Sequence, residues 1–236
     1  MPNHDLLTAQ YTHSVRVPDR DLLRSEFDRA LTVLDQRRDK TMLTTPFYAA
    51  IGASVFEAGY RALHDFVDYY TPFSEQRSSE RMHVVSAPVG SGKTSFSIAF
   101  VAALVGYQEQ HPTDPYGALI VCQQIERADA VFRDLNALIP GKVAIWTSDH
   151  DRLHPKGEKV KDPAAQFTQD ELQDKPVAII THKFFGGPNS HKGRLVLHDG
   201  ELKPRALTVI DEKLDDVAVF DIALSDAEKG AIANFW

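Results

Sequence analysis

Residues 83–105 read HVVSAPVGSGKTSFSIAFVAALV, and this stretch carries the strongest pattern in the chain. The run HVVSA at 83–87 is short, apolar and rich in β-branched residues, as expected of a buried strand. A glycine-rich turn at 88–92 follows it, and apolar residues with helical spacing continue over about 93–108. The stretch therefore predicts a strand, a tight turn and a helix in direct succession.

The same alternation continues towards the carboxyl end of the chain. Further short apolar runs are ALIVC at 118–122, VAIWT at 143–147, VAIIT at 177–181 and ALTVID at 206–211. A second helical pattern spans 126–138, and the polar stretch 149–175 predicts a surface loop with a short helix near 163–173. Strands that alternate with helices predict a three-layer α/β fold with a mainly parallel sheet.

The first 80 residues have a different character. After an irregular start over 1–18, apolar residues recur at spacings of three and four over 19–38, and again from Pro46 to Val67. The polar stretch 72–81 predicts a linker. We therefore expect a helical amino-terminal extension over 1–80 and an α/β domain over 81–236.

Composition limits the possible classes of protein. The chain has 236 residues, of which 43% are hydrophobic and 25% charged, as in an ordinary globular protein. The net charge of −7 restricts any contact with a nucleic acid to a local surface. A single cysteine, Cys122, excludes an intramolecular disulfide and a cysteine-cage zinc site. No apolar run reaches the ~18 residues that span a bilayer, so we expect a cytoplasmic protein without membrane contact.

Ala87–Thr94, APVGSGKT, matches the phosphate-binding loop that joins a strand to a helix, with Ala87 in place of the first glycine. Gly90 and Gly92 let the backbone curl so that successive N–H groups point at phosphate oxygens. Lys93 is expected to reach the β- and γ-phosphates, and the Thr94 hydroxyl to ligate Mg²⁺. The predicted nucleotide-binding residues are Ala87, Pro88, Val89, Gly90, Ser91, Gly92, Lys93, Thr94 and Ser95. The alternative is a glycine-rich turn with an incidental lysine.

Asp211 and Glu212 supply the second half of this site in the prediction. They end the apolar run ALTVI, and ligands of parallel sheets bind beside the carboxyl ends of the strands. We expect Asp211 to hold Mg²⁺, largely through water, and Glu212 to polarise the attacking water. The alternative is that both carboxylates merely end a strand.

APVGSGKT followed far downstream by VIDEKL resembles motifs I and II of the DEAD/DEAH-type helicases and translocases of superfamily two. The resemblance covers about residues 80–215 and implies the first RecA-like domain of such a protein, with ATP and Mg²⁺ as cofactors. It also implies contacts with a DNA or RNA backbone after the second and fourth strands. The matching residues are Gln123, Thr181, His182 and Lys183. A polar strand end at Gln123 and a solvated loop at His182 and Lys183 are the alternatives.

The family's second RecA-like domain carries arginine fingers, and too few residues follow Glu212 to build it here. We therefore expect a protein that binds ATP, hydrolyses it slowly alone, and needs a second RecA-like domain or a protein partner. An ATP-gated binding or regulatory module is the alternative function. A small-molecule kinase is disfavoured because no arginine-rich lid is evident.

Two other features of the sequence contain side chains capable of chemistry. His150 and His154 lie four residues apart beside Asp149 and Asp151, which suggests a metal site, but the stretch has no helical periodicity. Cys122 closes an apolar run and is expected to be a small core residue rather than a reactive thiol.

Overall fold

The structure is a computed structural model that describes residues 16–38, 45–70, 82–113, 116–154 and 163–211. The helices are α1 (Arg20–Arg38), α2 (Pro46–Tyr70), α3 (Lys93–Gln110), α4 (Ile125–Leu138), α5 (His182–Phe185) and α6 (Ser190–Arg194). The strands are β1 (Ala118–Cys122), β2 (Val143–Trp146), β3 (Val177–Thr181), β4 (Leu195–His198), β5 (Glu201–Pro204) and β6 (Leu207–Ile210). Two 3₁₀ helices, Pro163–Ala165 and Asp170–Leu172, lie between β2 and β3.

The main sheet has the order β2-β3-β1-β6, and each of its pairings is parallel. β1 is central, and all five of its side chains are buried. Strands covered on both faces need apolar residues at successive positions, and this explains the runs ALIVC and VAIIT. The α/β class and the four strands predicted at 118–122, 143–147, 177–181 and 206–211 are confirmed.

The two faces of the sheet have different covers. Ala118, Ile120 and Cys122 of β1 join a large hydrophobic cluster that includes α3 and α4. Leu119 and Val121 point to the other face and pack in a smaller cluster with Leu172 and Phe184. Helices therefore flank both sides of the sheet, and the larger core lies on the α3 side.

α3 is the most deeply buried helix of the described residues. Every residue from Ile98 to Tyr107 is buried, because the sheet covers one side of α3 and α1 and α2 cover the other. Such a helix must be apolar all round, as the sequence FSIAFVAALV is. The helices expected at 93–108 and 126–138 are confirmed as α3 and α4.

α1 and α2 occupy the positions that their apolar periodicity predicts. The Asp19 carboxylate accepts hydrogen bonds from the backbone N–H groups of Asp21 and Leu22, both at 3.0 Å, and so caps the start of α1. Pro46 opens α2, where its missing N–H costs nothing. Both helices contribute to the same core as the sheet, including Phe27 and Phe56, which are almost fully buried. The predicted linker 72–81 and residues 1–15 lie outside the described residues.

The strand predicted at 83–87 is wrong, because these residues pair with no strand of the described sheet. Side chains from Met82 to Pro88 alternate between exposed and half-buried, and Val84 is 78% exposed. The half-buried side chains of this segment face inward, and the Nε2 atom of His83 lies 2.8 Å from the Asp65 carboxylate of α2. The apolar run is thus half-covered by α2 rather than enclosed by neighbouring strands.

The hairpin of β4 and β5 was not predicted. Its strands are four residues long and partly exposed, and Asp199 and Gly200 form the turn with φ of 51° and 78°. An Asp-Gly pair between apolar residues is the local signal for such a turn. The short helices α5 and α6 were also missed, because four or five residues carry too little periodicity to show a helix.

Arg205 ties the hairpin to the main sheet at the edge opposite the carboxyl ends of the strands. It is fully buried, and its guanidinium donates to the carbonyl oxygens of Leu172 (2.6 Å), Pro176 (2.6 Å), Lys175 (3.0 Å) and Gly193 (2.8 Å). Burial lowers the pKa of Arg205 to about 9, so the side chain stays charged at neutral pH. The carbonyl oxygens replace the water that this charge loses.

No helix within the described ranges combines the length and the apolar character needed to cross a membrane.

Gly59 of α2 provides a test of how closely α2 and α3 pack. A Cβ atom at this position would lie 2.6 Å from the buried ring of Phe100. We expect Gly59→Ala to lower the free energy of unfolding by about 1–2 kcal/mol, because overpacking outweighs the roughly 1 kcal/mol gained in helix propensity. Urea denaturation followed by circular dichroism measures this change.

The control for this prediction is a double-mutant cycle with Phe100→Leu, which removes the ring. Gly59→Ala should then be neutral or stabilising in the Phe100→Leu background. Equal destabilisation in both backgrounds would show that the two helices do not meet at this point.

Candidate functional site

The carboxyl edge of the main sheet gathers most of the predicted functional residues. β1 lies between β3 and β6, so the residues that follow these three strands are neighbours. Asp211 follows β6, and its backbone N–H donates to the Val121 carbonyl oxygen at 3.0 Å. Thr181 pairs in register with Cys122, directly before Gln123. The fold thus brings together side chains that are far apart in the sequence.

The glycine-rich turn lies at this edge and leads directly into α3. Gly90 and Gly92 have φ of 79° and 80°, a left-handed conformation that other residues adopt only at a cost. The Ser91 N–H donates to the Pro88 carbonyl at 3.3 Å and closes the turn. Gly92 is the N-cap residue of α3, and no side chain makes a capping hydrogen bond at this end of the helix. The amides of the first turn therefore face outward without an intrahelical acceptor, next to the positive end of the helix dipole.

Lys93 is the first residue of α3 and folds back over the turn. Its ammonium group donates to the Ala87 carbonyl oxygen and to the Pro88 carbonyl oxygen, the latter at 2.9 Å. These two carbonyls hold the positive charge above the loop backbone. The turn, the helix end and the lysine together form a concentration of positive charge that suits an anion.

Thr94 and Asp211 meet across 117 residues of sequence. The Thr94 hydroxyl lies 2.9 Å and 3.1 Å from the two oxygens of the Asp211 carboxylate. The Asp211 side chain is only 13% exposed. The start of α3 and the end of β6 therefore meet in one site, as the spacing of the two motifs leads one to expect.

Arg127 joins this pair and was not anticipated from the sequence. It lies in the first turn of α4, and its Nε donates to the Asp211 carboxylate at 2.9 Å, while its Nη2 donates to the Thr94 hydroxyl. A basic residue next to the positive end of a helix dipole is electrostatically unfavourable. That unusual position, directly after a predicted strand, was the available signal in the sequence.

The donor set fits Mg²⁺. A hydroxyl and a carboxylate are hard oxygen ligands, which Mg²⁺ prefers, and it commonly keeps several waters and binds substrate phosphates as well. The outward-facing amides of the first turn of α3 fit those phosphates in the same way. Arg127, however, already binds both Thr94 and Asp211, so its positive charge opposes a metal ion at the same position.

The remaining predicted residues lie at this edge without contacting Asp211. Gln123 and Lys183 are exposed, and Thr181 is half-buried at the start of α5. The Nε2 atom of His182 is buried and has no hydrogen-bond partner in the described part of the protein. Glu212 lies outside the described residues. Cys122 is fully buried, in agreement with a core role.

His150 has a structural environment rather than metal ligands. Its Nδ1 lies 2.6 Å from the Thr147 hydroxyl and its Nε2 lies 2.7 Å from the Asp129 carboxylate of α4. The Asp149 N–H also donates to the Thr147 hydroxyl, at 3.1 Å. Across the described residues, no group of three or more histidine, cysteine or acidic side chains is arranged to hold a metal ion.

Comparison with protein-family models, curated proteins and solved structures yields no match to this chain.

The buried chain of hydrogen bonds through His150 predicts a stability effect. We expect His150→Ala to lower the free energy of unfolding by about 1–3 kcal/mol, because it removes one of the two hydrogen bonds of the buried Thr147 hydroxyl and the side chain that fills this buried position. Thermal and urea denaturation measure the change.

His154→Ala is the matched control, since His154 is exposed, and it should change stability little. If the two histidines instead shared a metal ion, both variants and a chelator would lower the melting temperature of the protein to a similar extent.

Proposed function

We propose that the chain binds a nucleoside triphosphate with Mg²⁺ and is the ATP-binding half of a nucleic-acid-dependent ATPase, similar to the first RecA-like domain of helicases. The observation that supports this proposal best is the contact between Thr94 and Asp211 beside the uncapped start of α3. A phosphate loop and a strand-end carboxylate are the two halves of a nucleotide site. In this chain they meet although 117 residues separate them.

Each side chain has a defined task in the proposed site. The amides from Gly90 to Ser95 cradle the phosphates, and Lys93 leaves the carbonyls of Ala87 and Pro88 to neutralise the β- and γ-phosphate oxygens. Thr94 and Asp211 would hold Mg²⁺, which would supply positive charge to neutralise the phosphate oxygens. Glu212 is proposed to orient the attacking water.

The nucleic-acid part of the proposal rests on the same edge of the sheet. Gln123 follows β1, Thr181 is the last residue of β3 and Lys183 lies two residues further on, so the three residues adjoin the proposed nucleotide site. Amides, hydroxyls and lysine side chains bind phosphate groups without reading bases. A nucleic-acid backbone bound to this surface would lie close to the proposed nucleotide site, so the binding of one could affect the binding of the other.

One observation favours the alternative, an ATP-gated binding or regulatory module without motor activity. Arg127 forms an ion pair with Asp211, so binding of a nucleotide with its metal at Asp211 must rearrange charges at the first turn of α4. Such a rearrangement can alter a partner surface without turnover. Both functions share the nucleotide site and differ in the partner that responds.

Lys93→Ala tests the nucleotide site. We expect a fluorescent ATP analogue to bind the wild-type chain with Mg²⁺ and to lose roughly tenfold to a hundredfold in affinity on Lys93→Ala, because charge-assisted bonds to phosphate are lost. Fluorescence titration gives the dissociation constants. Lys142→Ala is the control, since Lys142 precedes β2 at the opposite edge of the sheet. Equal affinity in all three proteins would refute the proposed nucleotide site.

Lys183→Ala tests the nucleic-acid surface. We expect single-stranded DNA or RNA to stimulate the slow ATP turnover of the wild-type chain. In Lys183→Ala, nucleic-acid affinity should fall. The slope of the logarithm of the binding constant against the logarithm of the salt concentration should also become shallower, by the equivalent of about one phosphate contact. Lys142→Ala is again the control. If nucleic acid neither binds nor stimulates, while a protein partner binds in an ATP-dependent way, the regulatory function is correct and the motor function is wrong.

A further inference from the structure

Arg127 makes the same two contacts that a magnesium ion would need. Its guanidinium binds the Asp211 carboxylate at 2.9 Å and also donates to the Thr94 hydroxyl. We propose that Arg127 is an internal cation that occupies the position of the magnesium ion and is exchanged for Mg²⁺ when the metal binds. This inference rests on the proposed function, since it concerns regulation of the same site.

The charge balance at Asp211 explains why the arginine is there. A carboxylate that is 13% exposed has lost most of its water and needs a positive partner. Among the described residues, Arg127 is the basic side chain that contacts it. Without that partner the carboxylate would be poorly compensated, so the arginine stabilises the site before metal arrives.

Metal and guanidinium cannot share these oxygens. Mg²⁺ binds oxygen at about 2.0–2.1 Å, and a cation at that distance repels a second cation that remains hydrogen-bonded to the same carboxylate. The Thr94 hydroxyl points its hydrogen at Asp211 and accepts from Arg127, so the arginine also uses the lone pairs that the metal requires. The arginine must therefore leave for the metal to bind.

The position of Arg127 on α4 favours its release from Asp211. Its side chain is 41% exposed, so solvent is available to the displaced guanidinium. It lies in the first turn of α4, where the helix dipole disfavours a positive charge. Once Mg²⁺ neutralises Asp211, little holds the arginine in its present position. The nearby phosphates of a bound nucleotide are the natural acceptors for its planar fork of donors.

The first experiment measures how much Mg²⁺ is needed for half-maximal binding of a fluorescent ATP analogue. Arg127→Ala should lower that Mg²⁺ concentration by about tenfold or more, because a charge-assisted contact no longer competes with the metal. Arg127→Gln should act in the same direction while retaining hydrogen bonds, in case the alanine variant folds poorly. Arg133→Ala, an exposed arginine on the same helix, is the matched control and should behave as the wild-type chain.

A second experiment detects the metal without nucleotide. We expect electron paramagnetic resonance to show Mn²⁺ binding to Arg127→Ala about tenfold or more tightly than to the wild-type chain. In an Asp211→Asn background the same substitution should have no effect, because the carboxylate that both cations use is gone. Circular dichroism of each variant confirms that it is folded.

The outcomes distinguish the two proposals. An unchanged or increased metal requirement in both Arg127 variants would overturn the exchange and would mean that arginine and metal act together. If the wild-type chain binds no nucleotide in a Lys93-dependent way, the proposed function fails, and the Mn²⁺ measurement still decides whether Arg127 and a metal compete for Asp211.

Discussion

The burial of α3 on all sides is the constraint on which the rest of the structure depends. Residues Ile98 to Tyr107 fill the space between the sheet and the pair α1 and α2, so α3 cannot slide or rotate without opening the core. Its first turn is therefore held at the carboxyl edge of the sheet, where β6 delivers Asp211. The contact between Thr94 and Asp211 follows from this packing and from the parallel strand order.

Positive charge converges on Asp211 from several directions. α3 and α4 both begin at the carboxyl edge of the sheet, so the positive ends of two helix dipoles lie near this carboxylate. Arg127 adds a full charge through direct contact, and Lys93 lies over the glycine-rich turn. The Asp211 carboxylate amid this positive charge suits a ligand that brings both phosphates and a metal ion. The same arrangement explains why Asp211 pairs with Arg127.

The sequence predicted the secondary structure correctly where an apolar run also lies beside other strands in the fold. The runs at 118–122 and 177–181 are strands because their residues are apolar at successive positions and both faces are covered. HVVSA at 83–87 has a similar composition but is not a strand. A strand needs backbone donors and acceptors on a neighbouring strand, and composition does not show whether such a neighbour is present. The hairpin of β4 and β5 was missed because its strands are too short for a periodic signal, although Asp199 and Gly200 mark its turn.

The sequence by itself determined the α/β class, the buried helix α3 and the glycine-rich turn, because each of these depends on residues that are adjacent along the chain. It also singled out Lys93, Thr94 and Asp211 as candidate residues, through the spacing of two motifs. Only the tertiary structure decided that Arg127 lies on Asp211 and Thr94, and that the buried Arg205 binds backbone carbonyls of separate segments. Those contacts join residues from different elements, and electrostatic interactions depend on distances in space, which strand order and helix packing set.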